Sequence, residues 1–229
     1  MKIILLFLTF VFSVTTQAQK KPNILIIFSD DHAYQSINIL GAPVQASPNI
    51  DRIAREGAIF ENSYVTNSIC GPSRAVLLTG KYSHKNGFKD NKNPNFNGSQ
   101  DSFIKELQAA GYQTAWIGKW HLGTTPQGFD YFQILPGQGH YFNPDFILMD
   151  GSRIRREGYV ANLIQEQAEK WLLSIDTSKP FCLIVGHKNT HRTWMPDTTD
   201  LRMFDTVNFP LPPNFYDEYE GRKAAAAQD

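Results

Sequence analysis

The stretch Asn23-Ile24-Leu25-Ile26-Ile27-Phe28, followed at once by Ser29-Asp30-Asp31-His32, decides the fold. The apolar run is unbroken and rich in β-branched isoleucine. It has no polar alternation, so it predicts a strand buried on both faces, and hence a parallel or mixed sheet covered by helices. Tyr112–Ile117 reads as a second strand, and Phe181–Val185 as a third, buried one. Helical patterns separate them. Ser47–Gly57 reads as a helix with Ser47 as cap, Pro48 in the first turn and Gly57 at its end. Pro72 and Gly80 bound a second in the same way, and Asp101–Ala110 gives a third, stopped by Gly111. Val160, Leu163, Ile164, Ala168, Trp171 and Leu172 fall on one face of a helix over Val160–Leu173. Phe146–Met149 and the Asp150-Gly151 turn suggest a hairpin. Strands alternating with helices predict α/β, with helices on both faces of the sheet. Lys85–Gln100 and Pro196–Pro213 read as irregular segments. Asp217–Asp229, acidic first and alanine-rich after, reads as the start of a helix.

The 229 residues are 41% hydrophobic and 13% aromatic, enough for a sizeable core. Lys plus Arg and Asp plus Glu are 22 each, which leaves no electrostatic footprint for nucleic acid or a polybasic membrane surface. Cys70 and Cys182 cannot make a disulfide scaffold, and Cys182 lies inside a predicted buried strand. At the amino end Lys2, the apolar run Ile3–Val14 and the small residues up to Ala18 form a signal-peptide pattern over residues 1–18. The run is short for a bilayer span. Export, a mature chain from near Gln19 and a periplasmic or secreted location are therefore expected.

Open α/β sheets place their chemistry beyond the carboxyl ends of the strands. After the first strand stand Asp30 and Asp31. Adjacent carboxylates repel unless a cation or proton lies between them, and hard divalent cations take such oxygens, although either residue also suits a cap. Cys70 stands at the start of the helix that Pro72 opens, with Arg74 one turn on. A helix amino terminus favours an anion and lowers a thiol's pKa, while a cysteine there can equally just pack. Lys119 and His121, between Gly118 and Gly123, fall on one side of an extended segment with Trp120 on the other. They suit an oxyanion, or else a solvated lysine and a core histidine. His187 and His191 follow the third strand. Their spacing suits zinc only on a helix, which Pro196 leaves unassured, and a proton donor or anion binder fits as well. Together these junctions describe an anion site with a cation beside it.

At this point the residues resemble the formylglycine-dependent sulfatases. Cys70-Gly71-Pro72-Ser73-Arg74, with the trailing Leu78-Thr79-Gly80, is similar to that family's signature. Pro22–Asp31, Ser47–Gly57 and Gly118-Lys119-Trp120-His121-Leu122-Gly123 agree with its context. His187–Pro196 and Asp217–Arg222 resemble exported bacterial glycan sulfatases of the N-acetylglucosamine-6-sulfatase kind. The resemblance runs from about Lys21 to the end of the chain.

It implies an alkaline-phosphatase-like fold, a mixed sheet sandwiched by helices, of which residues 19–229 would be the amino-terminal part. It implies hydrolysis of sulfate esters on a sulfated saccharide. A formylglycine-generating or anaerobic sulfatase-maturating enzyme would convert Cys70 to formylglycine. Its hydrate attacks sulfur with one hydroxyl and releases sulfate by ionising the other, which a thiol lacks. By the same resemblance Asp30, Asp31 and modified Cys70 would bind calcium, and Arg74 would hold the hydrate. Lys119 and His121 would bind sulfate and hydrate, His191 would protonate the leaving alcohol, and His187 would touch substrate. The family has a proline where Thr190 stands. It completes its metal site with a later Asp followed by Asn or His, which nothing here matches. A phosphodiesterase of the same superfold generally uses Thr or Ser with zinc, against which Cys70 argues. A non-catalytic glycan-binding protein is the other alternative.

Overall fold

A computed structural model describes residues 20–42, 44 and 47–227. The expected signal peptide, residues 1–18, lies outside the described residues. In chain order the elements are β1 (Ile24–Phe28), α1 (Pro48–Glu56), α2 (Cys70–Thr79), α3 (Ser83–Asn86), α4 (Phe103–Ala109), β2 (Gln113–Lys119), β3 (Tyr131–Leu135), β4 (Asp145–Ile147), β5 (Arg153–Arg155), α5 (Val160–Ser174), β6 (Phe181–Gly186) and α6 (Lys223–Ala226). One six-stranded sheet has the order β1-β6-β2-β3-β4-β5. β1, β6, β2 and β3 are parallel, and β4 and β5 add antiparallel strands, so the sheet is mixed. Among the described residues no helix is long and apolar enough to cross a membrane.

Alternation along the central strands divides the core into two layers. Trp116, Phe132, Ile134, Cys182 and Ile184 point to one face and pack with Ala75 and Leu78 of α2 and Ile104 of α4. Ala115, Ile117, Leu135, Leu183 and Val185 point to the other and meet Val160, Leu163, Ile164, Ala168 and Trp171 of α5. The expected stripe of α5 is the buried one, with Leu172 partly buried at its margin. Each fully buried large apolar side chain contributes about 1.5–3 kcal/mol, so these layers carry the fold. Helices thus cover both faces, as the α/β reading requires.

Four local readings need correction. β1 is an edge strand and is not buried on both faces: Leu25 is 51% and Ile27 58% exposed. These residues pair with Leu183 and Val185, so they share the face that α5 covers. But α5 packs chiefly on β2 and β6, and β1 is not among the strands it mainly covers. Ser47 does not cap α1 with its side chain. Its hydroxyl donates to Asp51 Oδ1 at 2.9 Å and accepts from Asn38 N at 2.8 Å, fastening the preceding loop to the helix. β2 runs on to Lys119, which places Gly118 inside the sheet. The last helix covers only Lys223–Ala226, because Asp217 turns back to pair with Arg222 and to accept from Tyr219 N. β3 was not anticipated, because Gln133 breaks its apolar run, although that glutamine is buried.

Candidate active site

The register brings three strand ends together. Phe28 of β1 is paired with Gly186 of β6, and Gly186 with Gly118 of β2. The residues that follow each therefore emerge side by side. The loops are laced by main-chain bonds: Asp30 N donates to Asn189 O (2.8 Å), Thr190 N to Asp30 O (2.7 Å) and His187 N to Phe28 O (2.8 Å). Gly118 is needed for this closeness. Its φ is +99°, and a Cβ on it would lie 2.2 Å from Gly186 O. Asp31 and His121, neither a glycine, are held at positive φ (53° and 55°). Such conformations persist where surrounding bonds over-determine them, commonly at functional sites.

Helix α2 delivers Cys70 and Arg74 to the same place. Gly80 ends it in the left-handed conformation, its N–H donating to Val76 O at 2.8 Å. Arg74 is fully buried. Its Nη1 donates to Lys119 O at 2.5 Å, its Nη2 lies 3.8 Å from Asp30 Oδ2, and its guanidinium stacks over Phe28. Arg74 Nε and Nη2 have no hydrogen-bond partner among the described residues, so donors aimed at the site are left free. Lys119, also fully buried, donates to Asp30 Oδ2 and to Gln138 Oε1. Burial pushes both cations below their ordinary pKa values, against the pull of Asp30.

Cys70 is half-buried. Its Sγ accepts from Asn91 Nδ2 at 3.1 Å, with Gln138 Nε2 at 3.9 Å. The Asn91 side chain lies so close over α2 that a Cβ at Gly71 would sit 2.5 Å from its Oδ1. His121 shares the site: burial, then Lys119 and Arg74, lower its pKa to about 4, and its Nδ1 is buried without a partner among the described residues. It is therefore a neutral imidazole at pH 7. His191 presents Nε2 to Asp31 Oδ2 at 3.7 Å. The carbonyl O of His191 accepts from the Tyr141 hydroxyl. Trp120 turns away into the core, 4.9 Å from the Trp116 ring centroid.

The structure therefore brings together Asp30, Asp31, Cys70, Arg74, Lys119, His121 and His191. Asp30, Asp31 and Cys70 line one open cleft of about 470 Å³. His187 stands apart: burial lowers its pKa, and no hydrogen bond among the described residues ties its ring to Cys70, Asp30 or Asp31. No three His, Cys, Asp or Glu side chains among the described residues converge closely enough to hold a metal. Asp30 and Asp31 are hard oxygen donors of the kind calcium takes, but two carboxylates fall short of its usual shell of about 6–8 oxygens. Asn91, Gln138 and Lys188 escaped the sequence reading. Asn91 lies in a loop without periodicity, Gln138 follows the strand that was not anticipated, and Lys188 sits between the two histidines that drew attention.

The chain matches the model of the Sulfatase family over residues 22–229, and it belongs to that family. It is 50% identical over 214 residues to an N-acetylglucosamine-6-O-sulfatase of Bacteroides thetaiotaomicron, covering 92% of this chain and 38% of the relative. A solved structure of BT4656 in complex with its substrate, D-glucosamine-2-N,6-O-disulfate, superposes with a TM-score of 0.89. That match has 50% identity and covers 92% of this chain and 43% of that one. Human N-acetylgalactosamine-6-sulfatase is 37% identical over 131 residues, 49% of this chain and 25% of that protein. The mixed sheet between helices is the alkaline-phosphatase-like architecture expected from the resemblance, and solved sulfatase structures share the fold. The chain spans well under half the length of these relatives.

Proposed function

We propose that the full-length protein is an exported sulfuric ester hydrolase. It removes the 6-O-sulfate of sulfated glucosamine units in glycans, using formylglycine made from Cys70 by a maturating enzyme. The observation that carries this reading is Cys70 at the start of α2, in one cleft with Asp30 and Asp31 and within electrostatic reach of Arg74 and Lys119. The 50% identity to a sulfatase of that specificity supports the choice of sugar.

Formylglycine supplies, as its hydrate, a nucleophilic hydroxyl and a second hydroxyl whose ionisation expels sulfate. The chain's own residues do the rest. Arg74, locked by its bond to Lys119 O, offers its free Nη2 and Nε to hold residue 70 in place. Lys119 neutralises charge on the sulfuryl oxygens. His121, neutral at pH 7, accepts the proton of the second hydroxyl. His191 donates a proton to the leaving alcohol, and Asp31 steadies its imidazolium. Asp30 and Asp31, with the oxygen of residue 70, would supply part of a calcium shell, and the ion would supply positive charge. His187 would touch the substrate.

The test uses full-length protein co-expressed with a maturating enzyme. Mass spectrometry of the Cys70 peptide is expected to show the aldehyde. Glucosamine-6-sulfate is expected to release sulfate, while the matching phosphate ester stays intact. A plain thiol in all molecules, or preference for the phosphate ester, overturns the reading.

A further inference from the structure

Lys188 follows β6 and is 4% exposed. Its ammonium lies 4.6 Å from the centroid of the Tyr141 ring. Among the described residues it has no carboxylate within ion-pair distance, and it donates no hydrogen bond. Tyr141 is itself buried and is tied through its hydroxyl to His191 O. A ring face repays only part of the cost of taking an ammonium out of water. A buried charge normally has a counter-ion, and among the described residues this one pairs with none.

Its surroundings say what that counter-ion is. Lys188 O accepts from His191 N at 3.1 Å and the next residue's carbonyl accepts from Asp30 N at 2.8 Å, while burial, then Lys119, lower the Lys188 pKa against the pull of Asp30. Three cations, Arg74, Lys119 and Lys188, therefore share one corner of the site. Among the described residues the only buried carboxylate facing them is Asp30, whose Oδ2 already accepts from Lys119. Asp31 is more than half exposed and pairs with His191. The corner carries excess positive charge, which an arriving anion would relieve.

We propose that Lys188 is a further anion-binding residue of the site, its ammonium donating to an oxygen of the bound sulfate group. The inference rests on the sulfatase reading above. Tyr141 then acts as a positioning residue that holds the ammonium ready.

The test compares full-length wild type with Lys188→Met and Lys188→Arg. Melting temperature is measured without added anion, and inorganic sulfate binding is measured by calorimetry. Removing an unpaired buried charge is expected to leave the anion-free melting temperature of Lys188→Met unchanged or raised. Its sulfate affinity is expected to fall about tenfold, equivalent to about 1.4 kcal/mol, with KM for the sulfated sugar rising in parallel. Lys188→Arg is expected to keep most of the affinity. Sulfate binding by Lys188→Met within twofold of wild type overturns the proposal, as does a drop in its melting temperature with affinity retained, the mark of a purely packing role. If Lys188→Met fails to fold, the Lys188→Arg variant decides: loss of sulfate affinity there as large as that seen on removing Lys119 overturns the proposal. Release of sulfate by wild type with no dependence on Lys188 leaves the sulfatase reading standing and overturns only this one. A wild type that binds no sulfate overturns both.

Discussion

Gly118→Ala is expected to be the most damaging single-methyl change in the sheet. Gly118 sits inside β2 at φ +99°, with β6 on one side. An added Cβ would stand 2.2 Å from Gly186 O and 3.0 Å from Ile164 Cδ1. The first neighbour is backbone in the middle of the sheet and cannot swing aside. Holding an L-residue in the left-handed region costs about 1–2 kcal/mol. Forcing a methyl into a packed core adds about 1–3 kcal/mol. The expected loss is therefore about 2–5 kcal/mol. Gly111→Ala is the control. Gly111 has φ +87° but nothing within 4 Å of the added Cβ, so it bears only the backbone cost. Urea unfolding of the full-length protein, followed by tryptophan fluorescence and circular dichroism, measures both. With a denaturant slope near 3 kcal/mol per molar, Gly118→Ala is expected to lower the midpoint by roughly 1 M and Gly111→Ala by about half that or less. Activity is expected to fall as well in Gly118→Ala, because the next residue's carbonyl holds Arg74 and the Trp116 indole. Equal midpoints for the two variants would refute the close-approach argument.

The other predictions concern protons, thiols, metal and export. His121 has its pKa lowered to about 4 by burial and by Lys119 and Arg74, so the unfolded chain binds more protons between there and the ordinary value of 6.5. Its contribution is complete above pH 6.5 and is lost as pH falls toward about 4; a His121→Gln variant is expected to melt with a shallower acid-side decline. In protein made without a maturating enzyme, half-buried Cys70 is expected to alkylate first. Cys182, fully buried and with its pKa pushed up to about 11, is expected to react only after denaturation, as peptide mapping would record. A chelator is expected to abolish sulfate release and added calcium to restore it; activity unchanged by exhaustive chelation would remove calcium from the proposal. Amino-terminal sequencing of the exported protein is expected to begin at Gln19, and a retained Met1 would remove the signal-peptide reading.

Much of the fold was legible because its determinants are local. The short strand segments that became β1, β2 and β6 have no helical period, and those of β1 and β6 are unbroken apolar runs. The stripe from Val160 to Trp171 has one. Gly80 and Gly111 stop helices because they adopt the left-handed backbone that side chains resist. The run Cys70–Arg74 was legible for another reason: a signature is a one-dimensional record of a three-dimensional site. Ser47 shows where local reasoning stops. Its residue type and place are those of a cap, but Asp51 competes for its hydroxyl and wins.

By itself, then, the sequence determined the strand and helix types, the helix stops, the family, and most of the residues that meet at the site. These depend on backbone preference, periodicity and short spacing, which a linear reading can see. Only the tertiary structure decided that β6 enters between β1 and β2, and so that Asp30, Lys119 and His191 become neighbours. It also decided that α5 leaves β1 uncovered, that Asn91 and Gln138 lean on Cys70, and that Lys188 lies buried on Tyr141 with no ion-pair partner among the described residues. Those outcomes depend on which distant segments pair. Pairing is settled by the packing of whole layers, with no local pattern to announce it.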